Sequence, residues 1–261
     1  MNFKKNILLL IIVVLFSACG EESTESNSDD NTVSLSKGLV AHYEFEGNVL
    51  DSSGNENHGK EYGNVTYVKG VMGQAIDLDG IDDYIRITNK NLDKLKEFTI
   101  SLYFLPVGSG GNIFDSYSWN NTKGKGFRLT LNSQEGAGVS ERTNGELLWF
   151  GTLFDEGWFN NRHKFIKTQL DKDNFLHVCA VYKNGEEKLY INGVLKVSHT
   201  IEHKFDLGNY DYLIGTNFRN HGNQNVINSH SGTLKGQMDE FRFYNRALNE
   251  SEVKELYHIG L

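Results

Sequence analysis

Apolar and polar residues alternate through most of this chain. From Leu39 to Phe45 the apolar residues Leu39, Ala41, Tyr43 and Phe45 fall on every second position, the period of a strand with one buried face. Short runs of similar character recur at Gln74 to Leu78, Tyr84 to Ile87, Phe98 to Phe104, Asn112 to Ser116, Gly126 to Asn132, Leu147 to Leu153, Tyr212 to Gly215 and Gly236 to Tyr244. The acidic stretch Asp79-Gly80-Ile81-Asp82-Asp83 between two of these runs predicts a hairpin, and Pro106, the only proline, is expected to stop the run that begins at Phe98. Asn184-Gly185 and Asn192-Gly193 are each flanked by strand-like residues. Asn-Gly is the preferred pair for a tight hairpin turn, so residues 175–199 are predicted to form a three-stranded meander. Only the end of the chain reads as a helix, with Asn249 as N-cap, Glu252 as its capping-box partner, Val253, Leu256 and Tyr257 as an apolar face, and Gly260 as the stop. Many short strands with Gly and Asn turns and one terminal helix predict an antiparallel sandwich or barrel.

The first residues follow a different pattern. Lys4 and Lys5 precede ten apolar residues, Ile7 to Phe16. Ten helical residues span about 15 Å, half of a bilayer core of about 30 Å, so the segment is expected to be an export signal and not a membrane span. Ser17-Ala18 directly before Cys19 resembles the lipobox of bacterial lipoproteins, which implies that residues 1–18 are removed and that Cys19 is lipidated. From Gly20 to Ser36 the chain is Glu, Ser, Asn, Asp and Thr with little to bury, the composition of a flexible tether of about 20 to 25 Å. Residues 19–36 are therefore expected to hold a domain of residues 37–261 near a membrane surface. Glu21 and Glu22 resemble the signals that send some lipoproteins to the outer leaflet, which implies an outer-membrane lipoprotein of the bacterial cell envelope.

Charge and cysteine content narrow the possible partners. Acidic residues outnumber basic ones, 34 to 26, and loss of Lys4 and Lys5 with the leader widens the excess, which argues against nucleic acid. Loss of Cys19 to lipid leaves Cys179 without a disulfide partner in the chain. It sits in a strand-like run, Phe175 to Tyr182, and reads as a small buried hydrophobe, with His177 two residues away as the one neighbour that could activate a thiol.

Chemistry concentrates after the first strand. Asp51, Ser53, Asn55 and Asn57 offer an oxygen-bearing side chain at every other residue and Gly54 and Gly59 let the backbone bend, the ligand type that calcium prefers, although the same residues build ordinary surface turns. An EF-hand loop from Asp51 would need Gly and Glu where Glu56 and Tyr62 stand, so another segment must complete any metal site. Asp239 shares strand parity with Phe241 and Phe243. If those rings face the core, its carboxylate lies beside them, and it could be either the missing ligand or one member of a salt bridge.

The stretches GLVAHYEFEGNVLDSSGNENHG, GQAIDLDGIDDYIRI, FTISLYF, FLHVCAVYKNGEEKLYINGVL and GQMDEFRFYNRALNESEV resemble the LamG-like, concanavalin A-like jelly-roll domains of bacterial surface proteins, over most of residues 38–258. The resemblance implies an all-β sandwich of two antiparallel sheets with one short C-terminal helix. It also implies a structural calcium between the opening loop and the last strand, with Asp51, Asn57 and Asp239 as ligands and Glu46 as a possible fourth. Relatives include carbohydrate-binding modules, adhesion modules and appendages of glycosidases.

Sugar binding needs exposed aromatic faces with polar side chains around them. Tyr117 and Trp119 in the polar loop 115–125, Trp158 in 155–161, and Arg142 and His163 in the same poorly matched middle region are the candidates, while Trp149 reads as core. The expected function is non-catalytic recognition of a glycan or polysaccharide. A structural or protein-adhesion module is the second reading. A glycan-cleaving hydrolase or lyase is the third, since a hydrolase would need two carboxylates about 5 to 10 Å apart and no diagnostic motif supplies them.

Overall fold

The computed structural model describes residues 34–88, 95–108, 110–116, 118–120, 123–131, 147–153, 166–170, 173–201, 210–220, 223–227 and 232–261. In chain order its strands are β1 (Leu39–Tyr43), β2 (Lys60–Tyr62), β3 (Thr66–Lys69), β4 (Gln74–Asp79), β5 (Tyr84–Ile87), β6 (Glu97–Pro106), β7 (Gly111–Asp115), β8 (Ser118–Asn120) and β9 (Lys123–Leu131). They continue with β10 (Leu147–Leu153), β11 (Ile166–Gln169), β12 (Leu176–Lys183), β13 (Glu186–Ile191), β14 (Val194–Thr200), β15 (Tyr212–Ile214), β16 (Phe218–Asn220), β17 (Asn223–Ile227) and β18 (Lys235–Tyr244), and end with helix α1 (Glu250–Ile259).

Two antiparallel sheets carry the architecture. The first runs β14-β13-β12-β6-β18-β4-β3 with β1 beside β18, and the second runs β11-β10-β9-β7-β15-β5-β2 with β8 beside β9. Strands β16 and β17 pair separately. Alternation packs one face of each sheet against the other: Phe98 and Phe243 from the first sheet meet Phe114 and Phe127 from the second, with Phe98 and Phe127 ring centroids 4.8 Å apart. Burial of each such ring is worth about 1.5 to 3 kcal/mol, so this interior closes the sandwich. The fold is the all-β jelly roll expected from the sequence.

A second apolar layer lies on the other face of the first sheet. Cys179, Val181 and Tyr190 pack with Tyr244, Leu248, Val253 and Leu256, so α1 roofs that face. The helix begins where its capping box predicts, with the Asn249 side chain accepting from Glu252 N and the Glu252 carboxylate accepting from Asn249 N. The Tyr103 hydroxyl anchors its far end, donating to Tyr257 O at 2.6 Å and accepting from Gly260 N. Cys179 is fully buried and burial pushes its thiol far up, which suits the small-hydrophobe reading. His177, turned to Ser101 Oγ at 2.8 Å, is pushed down to about 3 by burial and the nearby Arg242.

The meander forms with both predicted turns. Asn184 and Gly185, and Asn192 and Gly193, all have positive φ, the backbone that Asn-Gly supplies most cheaply. Pro106 is the last residue of β6.

Two expectations need correction. β4 and β5 are not a hairpin, because β4 pairs with β18 and β3 while β5 pairs with β15 and β2. The acidic stretch carries the chain from one sheet to the other. Buried Asp83 fixes that crossing by accepting from Asn64 N at 2.7 Å and Asp79 N at 3.1 Å. The second correction concerns parity in β18. Met238 is in the core together with Phe241 and Phe243, which a strict two-residue period forbids. A bulge between Asp239 and Arg242, with Glu240 at φ 52°, resets the alternation. Asp239 therefore does not share the core-facing parity of Phe241. It pairs with Tyr103, next to the helix-covered face.

Candidate functional site

The loop after β1 is organised by Asp51. Its Oδ1 accepts from His42 N and Ser53 N and its Oδ2 from Asn57 N, each at 2.9 Å. Burial opposes ionisation, but these N–H groups together with the Ser53 hydroxyl outweigh it and hold the carboxyl below its usual range. Asn57 is tied down as well, its side-chain amide donating to Val40 O at 2.8 Å and its backbone carbonyl accepting from the Tyr43 hydroxyl. Ser53 and Asn55 likewise donate to carbonyls of β1, so the oxygen-bearing side chains noted in the sequence are engaged with the surrounding backbone, and Asp51 stands where a metal would otherwise gather it.

Asp239 is in a different state. Its Oδ2 accepts from Val71 N at 2.8 Å and Met72 N at 2.9 Å, while Oδ1 is buried with no hydrogen-bond partner. Burial pushes its pKa up to about 6; the charge of Glu240 adds to that, and the backbone N–H groups of Met72, Val71 and Glu240 offset only part of it. Glu46 reaches the same 70–74 turn, accepting from Gln74 N at 2.9 Å. Side chains at two glycines of that turn would collide with these carboxylates: a Cβ at Gly70 would lie 2.5 Å from Asp239 Oδ2, and one at Gly73 closer still to Glu46 Oε1. Each acid also follows or precedes a non-glycine residue with positive φ, Phe45 at 57° and Glu240 at 52°. Such strain tends to gather at functional positions.

The four expected calcium ligands therefore divide into two pairs. Asp51 and Asn57 belong to the hydrogen-bonded loop, and Glu46 and Asp239 belong to the 70–74 turn. Among the described residues the one set of three carboxylates whose oxygens converge within 4.8 Å is Asp79, Asp82 and Asp83, at the crossing between sheets. The donor sets differ in their fit to calcium. Asp51 has less need of an ion, since backbone donors already reach both of its oxygens, whereas Asp239 fits one better, since a buried oxygen without a donor is what a hard cation relieves.

Beside this site runs a charged chain on the outer side of the first sheet. His42 Nε2 lies 2.9 Å from Glu240 Oε2, which also pairs with Arg242, while Ser52 Oγ lies 3.0 Å from His42 Nδ1. Burial disfavours the Glu240 anion, but His42 and Arg242 outweigh it and hold its carboxyl low.

Of the residues expected to meet sugar, Tyr117, Arg142, Trp158 and His163 lie outside the described residues, as does Cys19. Trp119 is in β8, where only the backbone is described. In β10 the core positions are Leu148 and Phe150, one to either side of Trp149. The second sheet supplies aromatic residues that sequence reasoning missed. In β5, Ile85 and Ile87 enter the core, so Tyr84 and Arg86 face away from it, and pairing puts Tyr62 opposite Tyr84 and Lys60 opposite Arg86. The signal was present as the alternation Tyr84-Ile85-Arg86-Ile87, but not the short partner strand that doubles it.

Comparison with known proteins places this geometry. The family model Laminin_G_3, described as Concanavalin A-like lectin/glucanases superfamily, matches residues 79–254. The chain belongs to this family. Among solved structures, this laminin G-like chain is similar to domain 4 of AbnA, a GH43 extracellular arabinanase from Geobacillus stearothermophilus, in complex with arabinotriose. The two are 25% identical, with 84% of this chain and 98% of that chain covered and a TM-score of 0.58. It is also similar in fold to the binding domain of Botulinum neurotoxin DC in complex with rat synaptotagmin II (14% identity, 87% and 53% covered, TM-score 0.60). The binding domain of Paraclostridial Mosquitocidal Protein 1 is a further neighbour (18% identity, 85% and 52% covered, TM-score 0.60). The laminin G-like chain thus spans about half the length of each toxin domain and nearly all of the arabinanase domain. No curated protein matches it in sequence.

Proposed function

We infer that this protein is a non-catalytic glycan-binding protein held at the bacterial cell surface by a lipid on Cys19. The observation that carries the reading is the near end-to-end likeness to an arabinanase domain solved with arabinotriose. A whole domain of that enzyme corresponds to this fold and was solved with an oligosaccharide bound; the step from that domain to this chain is an analogy of fold. In this reading residues 1–18 are the export signal, residues 19–36 the tether and residues 37–261 the binding domain, on an outer-membrane lipoprotein. The net charge of −8 is consistent with a partner other than nucleic acid. A structural calcium belongs to the same reading, with Asp239 and Glu46 as its side-chain ligands on the 70–74 turn; its role would be to neutralise Asp239 and fix that turn.

The test is a glycan array probed with the purified protein, together with arabinotriose titrated in solution. Binding without release of reducing or unsaturated ends is the expected result. Release of such ends would make the protein an enzyme. Silence toward every glycan would favour an adhesion or spacer role.

A further inference from the structure

The outer face of the second sheet is closed in the middle and open at one edge. Across its centre, in register, stand Leu213 of β15, Asp115 of β7 and Arg128 of β9. All three point away from the core and yet are almost fully buried, with Arg128 Nε 2.6 Å from Asp115 Oδ2. That centre offers no surface. At the β2–β5 edge the same face is accessible, and Tyr62 and Tyr84 are half-buried there. Their rings stack in parallel, 4.5 Å apart with 3° between planes, and the Lys60 ammonium lies 5.1 Å from the Tyr62 ring. Among the described residues neither phenol hydroxyl has a hydrogen-bond partner. Beside the stack, Arg86 donates through Nε and a terminal nitrogen to one oxygen of Asp211, each at 2.7 Å, with both side chains part-exposed.

Two rings fixed against each other have already given up most of their rotamer freedom, so a ligand that packs on them meets a preorganised apolar surface. The Arg86–Asp211 pair fixes polar groups next to that surface. The Asp211 carboxylate already engages the Arg86 guanidinium, and the Lys60 charge is directed at a ring. Rigid rings beside an arginine already engaged by a carboxylate match an uncharged sugar, which has an apolar ring face and a fringe of hydroxyls; they do not match a uronate or sulfate, which would want a cation fork of its own.

We propose that the Tyr62–Tyr84 stack, with Arg86 and Asp211, is a subsite for one neutral sugar unit of an oligosaccharide. The inference rests on the glycan-binding reading and adds to it where the sugar lies and which class it belongs to.

Calorimetric titration of the intact protein with arabinotriose, and an array carrying neutral and uronate-bearing oligosaccharides, test it. The wild type is expected to bind a neutral glycan. Tyr84→Ala should weaken that binding about tenfold or more, while Tyr84→Phe, which keeps the ring and the stack, should weaken it less than threefold. Circular dichroism and thermal melts check that each variant folds; if Tyr84→Ala does not, Tyr62→Ala on the exposed edge strand replaces it. If the wild type binds a neutral glycan and the alanine variants bind it equally well, the subsite is overturned while the glycan-binding reading survives. Binding of uronate-bearing glycans alone overturns the assigned class. Silence toward all glycans overturns the reading and the subsite together.

Discussion

Asp51 and Asp239 are both buried carboxylates, one near each end of the domain, and they show how differently the same group can be accommodated. Asp51 receives three backbone N–H groups and ionises more readily than a free carboxyl. Asp239 receives two on one oxygen, leaves the other bare, and holds its proton up to about pH 6. Both are enclosed; the number of donors aimed at them is what differs. A buried charge that is fully hydrogen-bonded ties a loop together, and one that is half satisfied is a cost unless something else arrives. The first pattern is self-sufficient, and the second leaves an oxygen that a cation could satisfy.

The largest effect should come from removing the complete site. Asp51→Ala leaves the N–H groups of His42, Ser53 and Asn57 without their acceptor in a buried loop, and charge-assisted bonds of this kind are worth about 1.5 to 3 kcal/mol each before relaxation. A loss of about 3 kcal/mol or more is expected in urea denaturation. Asp51→Asn, which keeps an acceptor oxygen, should lose about half as much. A change under about 1 kcal/mol in Asp51→Ala would mean that the loop stands without its hub and that the two carboxylates do not differ in structural weight.

Titration separates the two carboxylates by sign. Asp51 has a lowered folded-state pKa, so its contribution is present above the unfolded value near 4 and fades as the pH falls through the folded value. Asp239 has a raised one: its contribution is present below about pH 4 and is lost as the pH rises through about 6. In chelator, stability should therefore fall by about 2 to 3 kcal/mol between pH 4 and pH 7 on account of Asp239. Bound calcium favours the anion, so adding it should remove that loss and raise the melting temperature at pH 7 by several degrees. Asp239→Asn should abolish both the pH step and the response to calcium. Identical melts with and without calcium at pH 7 would leave Asp239 a merely strained carboxylate.

The same contrast marks what could be read in the sequence. The opening strand, the meander with its two Asn-Gly turns and the capped helix were legible because each is specified by neighbours in the chain: an alternation, a turn dipeptide, a box of four residues. Taken locally, the acidic cluster predicts a hairpin because strand–turn–strand is the local default. Its true role as a crossing depends on Asn64, whose N–H meets Asp83 from 19 residues away. For Asp239 the periodicity argument misplaces the side chain. Periodicity put it beside Phe241, but a one-residue bulge at Glu240 reverses parity, and nothing in Met238-Asp239-Glu240-Phe241 announces a positive φ on a glutamate. Tyr62 could not be singled out at all. A three-residue strand carries too little alternation to be seen, and its meaning comes from lying opposite Tyr84.

The smallest effect should be at Glu46, and it sharpens the contrast because it separates folding from binding. The residue is exposed, and its visible tie to the rest of the domain is the bond it accepts from Gln74 N. Glu46→Gln keeps an acceptor in that place, so in chelator the variant should unfold within about 0.5 kcal/mol of the wild type, as surface substitutions usually do. Calcium should stabilise it less, however, since a neutral amide is a poorer ligand for a hard cation than a carboxylate. Melting curves at rising calcium would then reach the wild-type plateau only at higher ion concentration. Should Glu46→Gln respond to calcium like the wild type while Asp239→Asn does not, the ion would be held by Asp239 and backbone oxygens of the 70–74 turn, and Glu46 would be a clamp on that turn and nothing more.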